Sequence, residues 1–168
     1  MLTNYDLEDL CDVYNVPLRG IYMKDMLPRK IQNGNYIINL ESSNGGQNNG
    51  THWTCLVVCN KDAMFYDPYG APPSMEIRSF VQQRKNTHLG FNNWVVQDLK
   101  SENCGYFVLS FLIYIQIGRP TDMYKRANDY LNQFLDDTKH NDEILRLTFR
   151  QLGKSHPLIA RLNNQRRR

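Results

Sequence analysis

The sequence predicts an α+β fold in a single domain covering residues 1–168. Three observations predict it. Candidate elements run helix, then strands, then helices, the order of a segregated α+β chain. The chain is 168 residues long, enough for one hydrophobic core. No internal repeat and no long linker divides it.

The elements follow in order. Thr3 opens a helix: Asp6 stands three residues on, and Leu7, Leu10, Cys11 and Tyr14 recur at helical spacing. Pro17, Gly20 and Pro28 mark residues 16–28 as irregular. Residues 36–40 form a short β-rich run. Residues 41–51 are almost wholly Ser, Asn, Gly and Gln, which cannot bury themselves and predict a surface loop. Residues 52–59 are apolar and β-rich, Asn60-Lys61-Asp62 is turn-like, and 63–66 return as a second strand, giving a hairpin. Asp67-Pro68-Tyr69-Gly70 ends it. Ser74 caps a short helix reaching about residue 84. Residues 91–97, centred on Trp94, Val95 and Val96, predict another strand. A polar connection then leads to Asn103, a good N-cap for the apolar run 106–117. Gly118 and Pro120 stop that run. It is short of the roughly 20 residues of a bilayer span, so it predicts a buried helix and no membrane contact. Two more amphipathic helices are predicted over 122–136 and 142–152, with Gly153 as the stop.

The opening Met-Leu-Thr-Asn-Tyr-Asp-Leu-Glu-Asp has no basic flank and no apolar core, so secretion is not expected. Cys11, Cys55, Cys59 and Cys104 show no Cys-x-x-Cys spacing. Along a strand Cys55 and Cys59 would stand about 13 Å apart, too far for a shared disulfide or metal. A reducing compartment follows. The net charge of +3 is uneven. After Glu143 come Arg146, Arg150, Lys154, Arg161, Arg166, Arg167 and Arg168, with no acid. That asymmetry fits an acidic partner such as non-specifically bound DNA, and it fits equally a solvated tail over 161–168.

Four residues carry candidate chemistry. Cys104 opens the apolar helix, where free backbone N–H groups favour a thiolate and can donate to an oxyanion. His52 stands at a strand end, able to face a cleft. Asp67 ends the neighbouring strand, within reach of His52 and able to fix its tautomer. Gln97 lies seven residues before Cys104 and can supply an amide donor. Each has an ordinary alternative: a small buried hydrophobe for Cys104, a loop-edge histidine, an Asp-Pro turn former, and a polar strand end. Trp53 either shields the imidazole or fills the core. Gly50, Thr51, Trp53, Asn103 and Gly105 flank His52 and Cys104 and are the expected substrate contacts, with Gly105 leaving room for a substrate backbone.

The run from His52-Trp53 through Phe65-Tyr66-Asp67-Pro68-Tyr69-Gly70 resembles a hairpin of the adenovirus endopeptidase (adenain) family. There, too, His-Trp is followed by a strand, a turn, and then an aromatic, an acid, Pro, an aromatic and Gly. Gln97 and Glu102-Asn103-Cys104-Gly105-Tyr106-Phe107 resemble its Gln and Cys-Gly segments, with the same gap. Leu18-Arg19-Gly20-Ile21-Tyr22-Met23-Lys24-Asp25 is similar to an early segment of that family. Its clan includes the ubiquitin-like-protein proteases and the polyprotein proteases of large DNA viruses, virophages and Polinton-type elements. The resemblance covers residues 50–117 most strongly. It implies a mixed sheet packed against the Cys104 helix, and a Cys-His-Asp triad with Gln97 at the oxyanion. It implies a monomeric peptidase, in the virion or host cytoplasm, that cuts capsid precursors at Gly-containing sites. It implies no metal and no cofactor. Removal of a ubiquitin-like modifier is the rival activity, and a nucleic-acid-binding virion protein is the rival of another class. One departure stands out. No counterpart is seen of the cysteine that pairs with the family's activating peptide, since Cys11, Cys55 and Cys59 fall in predicted core elements.

Overall fold

Helix α1 (Asn4–Val13) starts where Thr3 and Asp6 exchange hydrogen bonds. The Thr3 hydroxyl accepts the Asp6 N–H at 3.2 Å, and the Asp6 carboxylate accepts the Thr3 N–H at 2.8 Å. This reciprocal cap satisfies donors that a helix start leaves free. The Thr3 N–H also holds the Asp6 carboxyl below its usual pKa. The computed structural model describes residues 1–44, 52–116 and 123–165. Gly50, Thr51, Gly118, Pro120 and Arg166 to Arg168 lie outside the described residues.

A five-stranded mixed sheet forms next, with spatial order equal to chain order: β1 (Leu18–Met23), β2 (Gly34–Asn39), β3 (Trp53–Cys59), β4 (Asp62–Tyr66) and β5 (His88–Phe91). The two inner pairings, β2 with β3 and β3 with β4, are antiparallel. The outer two, β1 with β2 and β4 with β5, are parallel. Helices α2 (Met75–Gln82), α3 (Cys104–Gln116), α4 (Met123–Leu131), α5 (Asn141–Leu152) and α6 (Pro157–Asn163) complete this single α+β domain.

Side chains alternate across the pleat. Tyr36, Ile38, Leu56, Val58 and Phe65 face Ile77, Phe80 and Val81 of α2. Ile37, Cys55, Val57, Met64 and Tyr66 face the larger core built by α1, α3, α4, α5 and α6. At the centre of that core lies α3, with eleven of its 13 residues buried. A helix apolar on all sides must be surrounded, and α3 contacts β3, α1, α4 and α5. The Phe111 ring stacks on Tyr66 at 4.3 Å, and Tyr130 meets both edge-on. Truncating a buried Phe of this kind to Ala costs about 3–5 kcal/mol.

The structure corrects four expectations. Residues 18–23 are a strand, not irregular chain. β1 is an edge strand with a parallel partner, its positions only partly buried apart from exposed Arg19, and its register slips between Leu18 and Gly20, so no clean alternation marks it. The strand expected over 91–97 is displaced: β5 ends at Phe91, and the Val96 and Gln97 N–H groups both donate to one carbonyl, that of Pro68, which is no ladder. Helix α4 ends at Leu131, five residues early, and the chain turns before the short 3-10 helix Thr138–His140. Finally, α6 includes Arg161 and buries Ile159 and Leu162, so 161–163 is packed helix, not tail.

Candidate functional site

Antiparallel pairing of β3 and β4, with Cys55 opposite Tyr66, sets the start of one strand beside the end of the other. His52 precedes β3 and Asp67 follows β4, so the two side chains meet there. The His52 Nε2–Asp67 Oδ1 distance is 2.6 Å, with the histidine side chain 20% and the aspartate side chain 1% exposed. An ionised carboxylate can only accept, so Nε2 carries the hydrogen and Nδ1 is left for a second partner.

Cys104, the first residue of α3, also bears on the ring and favours its protonated form. The thiol is free and nearly enclosed, with the residue 3% exposed. Burial of His52 resists charging the ring. Its hydrogen bonds to Asp67 and to Cys104 outweigh burial and push its pKa from 6.5 up to about 9. Desolvation pushes the Cys11 thiol up to about 12 and the Cys55 thiol well above the ordinary thiol value. Cys59 is only half-buried, where a core position was expected.

The turn after β4 completes the surround. The Tyr69 N–H donates to Asp67 Oδ1 at 2.8 Å, and the Gly70 N–H to the Asp67 carbonyl at 2.8 Å. Gly70 has φ +69°, and a Cβ there would sit 2.9 Å from the Trp94 carbonyl carbon, so only glycine fits. The Tyr69 ring then stacks on His52, with centroids 4.6 Å apart and 24° between planes. On the far side Asn92 grips the Asp67 backbone, accepting its N–H at 3.0 Å and donating to its carbonyl at 2.7 Å.

Gln97 lies in the loop between β5 and α3. Its backbone N–H reaches the Pro68 carbonyl, and its Nε2 donates to the Ser101 carbonyl at 2.8 Å. One amide hydrogen is therefore held inside the loop and one is left over. Gln97 Oε1 is buried with no protein partner.

Three expected substrate contacts point elsewhere. Asn103 caps α3 through its backbone, the carbonyl accepting the Phe107 N–H at 3.0 Å. Its side chain is buried and committed to Asp142 and Gln165. Gly105 turns its open side to the interior: a Cβ would meet Leu2 at 3.1 Å and Trp53 at 3.3 Å. Trp53 is buried, and its indole N–H donates to the Leu2 carbonyl at 2.9 Å. Its indole also helps line a groove of roughly 490 Å³, bounded by Leu2, Ile21, Tyr22 and Asn39 among others. The missing Gly105 side chain thus makes room for Leu2 and Trp53.

Sequence reasoning brought His52, Asp67 and Cys104 together and missed Asn92 and Tyr69 as neighbours. Tyr69 had a signal, its place in the Asp-Pro-aromatic-Gly run. Asn92 had none, since its role depends on where β5 stops. Among the described residues no group of three His, Cys, Asp or Glu side chains is placed to hold a metal, and no helix is long and apolar enough to cross a membrane. A comparison of the sequence with models of known protein families and with curated proteins gave no match.

Proposed function

We propose that this chain is a cysteine endopeptidase with an adenain-like fold, and that it cleaves capsid precursor proteins at Gly-containing sites during virion maturation. One observation carries the reading: a half-buried His52 held 2.6 Å from the enclosed Asp67, with Cys104, at the start of a buried helix, bearing on the same ring. The reaction class that uses such a set is acyl transfer.

Before attack His52, its pKa raised to about 9, has taken the thiol proton, and Sγ then attacks the scissile carbonyl carbon. The carbonyl oxygen becomes an oxyanion, met by the Cys104 N–H and the uncommitted Gln97 amide hydrogen. The imidazolium returns its proton to the leaving amine, and a thioester remains. Water, deprotonated by His52, then hydrolyses that thioester and restores the thiol. Asp67 holds the ring in the tautomer that presents Nδ1, and Tyr69 covers one of its faces. Every proton in this scheme moves between Cys104, His52, the leaving group and water.

The decisive experiment incubates the purified chain with co-encoded capsid precursors and sequences the new N-termini. Cuts at Gly-containing sites that vanish in Cys104→Ala support the reading. Efficient release of a fluorogenic group from the C-terminal Gly-Gly of ubiquitin or a SUMO-type modifier, with precursors left intact, replaces it with a deconjugase.

A further inference from the structure

β4 and β5 pair in parallel only as far as Phe65 opposite Phe91. The chain leaves the sheet at Asn92, so Asp67 lies past the end of the ladder with no strand neighbour on that side. A side chain takes the strand's place. Asn92 is 3% exposed. Its Oδ1 accepts the Asp67 N–H at 3.0 Å, while its Nδ2 donates to the Asp67 carbonyl at 2.7 Å and to the Trp94 carbonyl at 3.1 Å. A primary amide offers the acceptor and donor of a peptide group in one plane plus a second N–H, and here the oxygen and both N–H groups are in use. We propose that Asn92 is a positioning residue for the His52–Asp67 pair, extending the sheet by one side-chain rung and so fixing where the Asp67 carboxylate meets the imidazole.

The inference follows from how few other restraints Asp67 has. Its carboxylate Oδ1 already accepts two donors, His52 Nε2 and the Tyr69 N–H. Both of those bonds depend on the Cα of residue 67 staying in place. The Gly70 N–H on the Asp67 carbonyl is a turn contact that moves with the turn. Among the described residues Asn92 alone ties both backbone groups of Asp67 to a neighbouring element. A buried polar residue with every hydrogen bond made is rigid, because moving it leaves several groups bare at once. Among the described residues three groups bear on the His52 ring: Asp67 from the end of β4, Cys104 from α3 and the Tyr69 ring from the turn. Among these, Asn92 bonds only Asp67, so its loss is read through that contact.

The mechanistic arm rests on the peptidase reading; the structural arm does not. In the full chain, the His52 titration is followed by NMR for wild type, Asn92→Ala and the near-isosteric, uncharged Asn92→Leu, with Asn35→Ala as control. Asn35 is another buried amide, donating to the Pro17 carbonyl at 2.9 Å at the far edge of the sheet. Both Asn92 variants should titrate His52 lower by about one pH unit or more, as the carboxylate drifts from the ring. Asn35→Ala should leave the midpoint where it is. Should Asn92→Ala fail to fold, Asn92→Leu, which keeps the volume, decides. A His52 midpoint unchanged in a folded Asn92 variant, or shifted equally in Asn35→Ala, overturns the inference. With a cleavable peptide, kcat should fall by about 10- to 100-fold at constant KM. Normal kcat with wild-type titration would remove Asn92 and leave the peptidase reading standing. A lowered midpoint in a chain without peptidase activity would do the reverse.

Discussion

Among the described residues two histidines meet a carboxylate through Nε2, and their surroundings differ. His52 lies 2.6 Å from Asp67, and His156 lies 2.8 Å from Asp9. What separates them is the other nitrogen. His156 Nδ1 accepts the Leu158 N–H at 3.1 Å and caps α6, so both ring nitrogens are committed and the pair ties α6 to α1. Its carboxylate partner is 65% exposed, where water screens the interaction. At His52 the carboxylate is enclosed, no second hydrogen bond of the cap kind is made among the described residues, and Cys104 favours the protonated ring. A short His–Asp distance therefore says little by itself. The fate of the second nitrogen and the exposure of the carboxylate distinguish the His156 helix cap from the His52 pair.

The largest test of that contrast removes the thiol. Cys104→Ala should reduce peptide cleavage to background while the circular dichroism spectrum stays native; Cys55→Ala, at a fully buried position, should still cleave. Loss of activity in Cys55→Ala with retention in Cys104→Ala would reverse the assignment. Next comes the carboxylate. Asp67→Asn should lower kcat by on the order of 10³-fold, because the amide can hold the wrong imidazole tautomer; a wild-type kcat would take Asp67 out of the mechanism. Gln97→Ala should cost on the order of 10²-fold in kcat, the usual loss of one oxyanion donor. A change in KM alone would make Gln97 a substrate contact instead.

A smaller effect separates the pairs by pH. The His52 pKa is raised from 6.5 to about 9, so folding favours the protonated ring. That contribution to stability is complete below about 6.5 and is lost as pH rises through about 9. The urea midpoint should fall over that window in wild type, and the fall should shrink in His52→Ala. The basic limb of kcat/KM should lie near 9 as well. The smallest effect belongs to the other histidine. His156→Ala should cost about 1 kcal/mol in urea unfolding, as a lost N-cap does, with peptide cleavage unchanged. A large loss of activity there would erase the distinction between the two pairs.

Features legible in the sequence were those with local causes. The Thr3–Asp6 cap, the turn at residues 60–62 and the apolar run behind Asn103 each announce themselves within a few residues. The meeting of His52 with Asp67 was legible for the same reason, since a hairpin makes neighbours of its two open ends. β1 was not legible, because an edge strand with a slipped parallel register has no alternating pattern. α6 did carry a signal, Pro157 at its first position, which the density of arginines around it obscured. Trp53, Asn103 and Gly105 show a further limit. Their positions beside His52 and Cys104 were right, but which way each faces is set by packing against Leu2, Asp142 and Gln165, and no spacing in the sequence encodes that.

The hairpin that unites His52 and Asp67 has a consequence in time. Its two strands are joined by a tight turn, and contacts this local form within about 1–10 μs in isolated hairpins. Alone, such a ribbon is marginal in water. Cys104 comes from a helix that is buried only when α1, α4 and α5 close around it. His52 and Asp67 are thus joined through one short turn, whereas Cys104 takes its place only with the packing around α3. A nascent or partly unfolded chain lacks the assembled thiol site, so its appearance reports that the domain is complete.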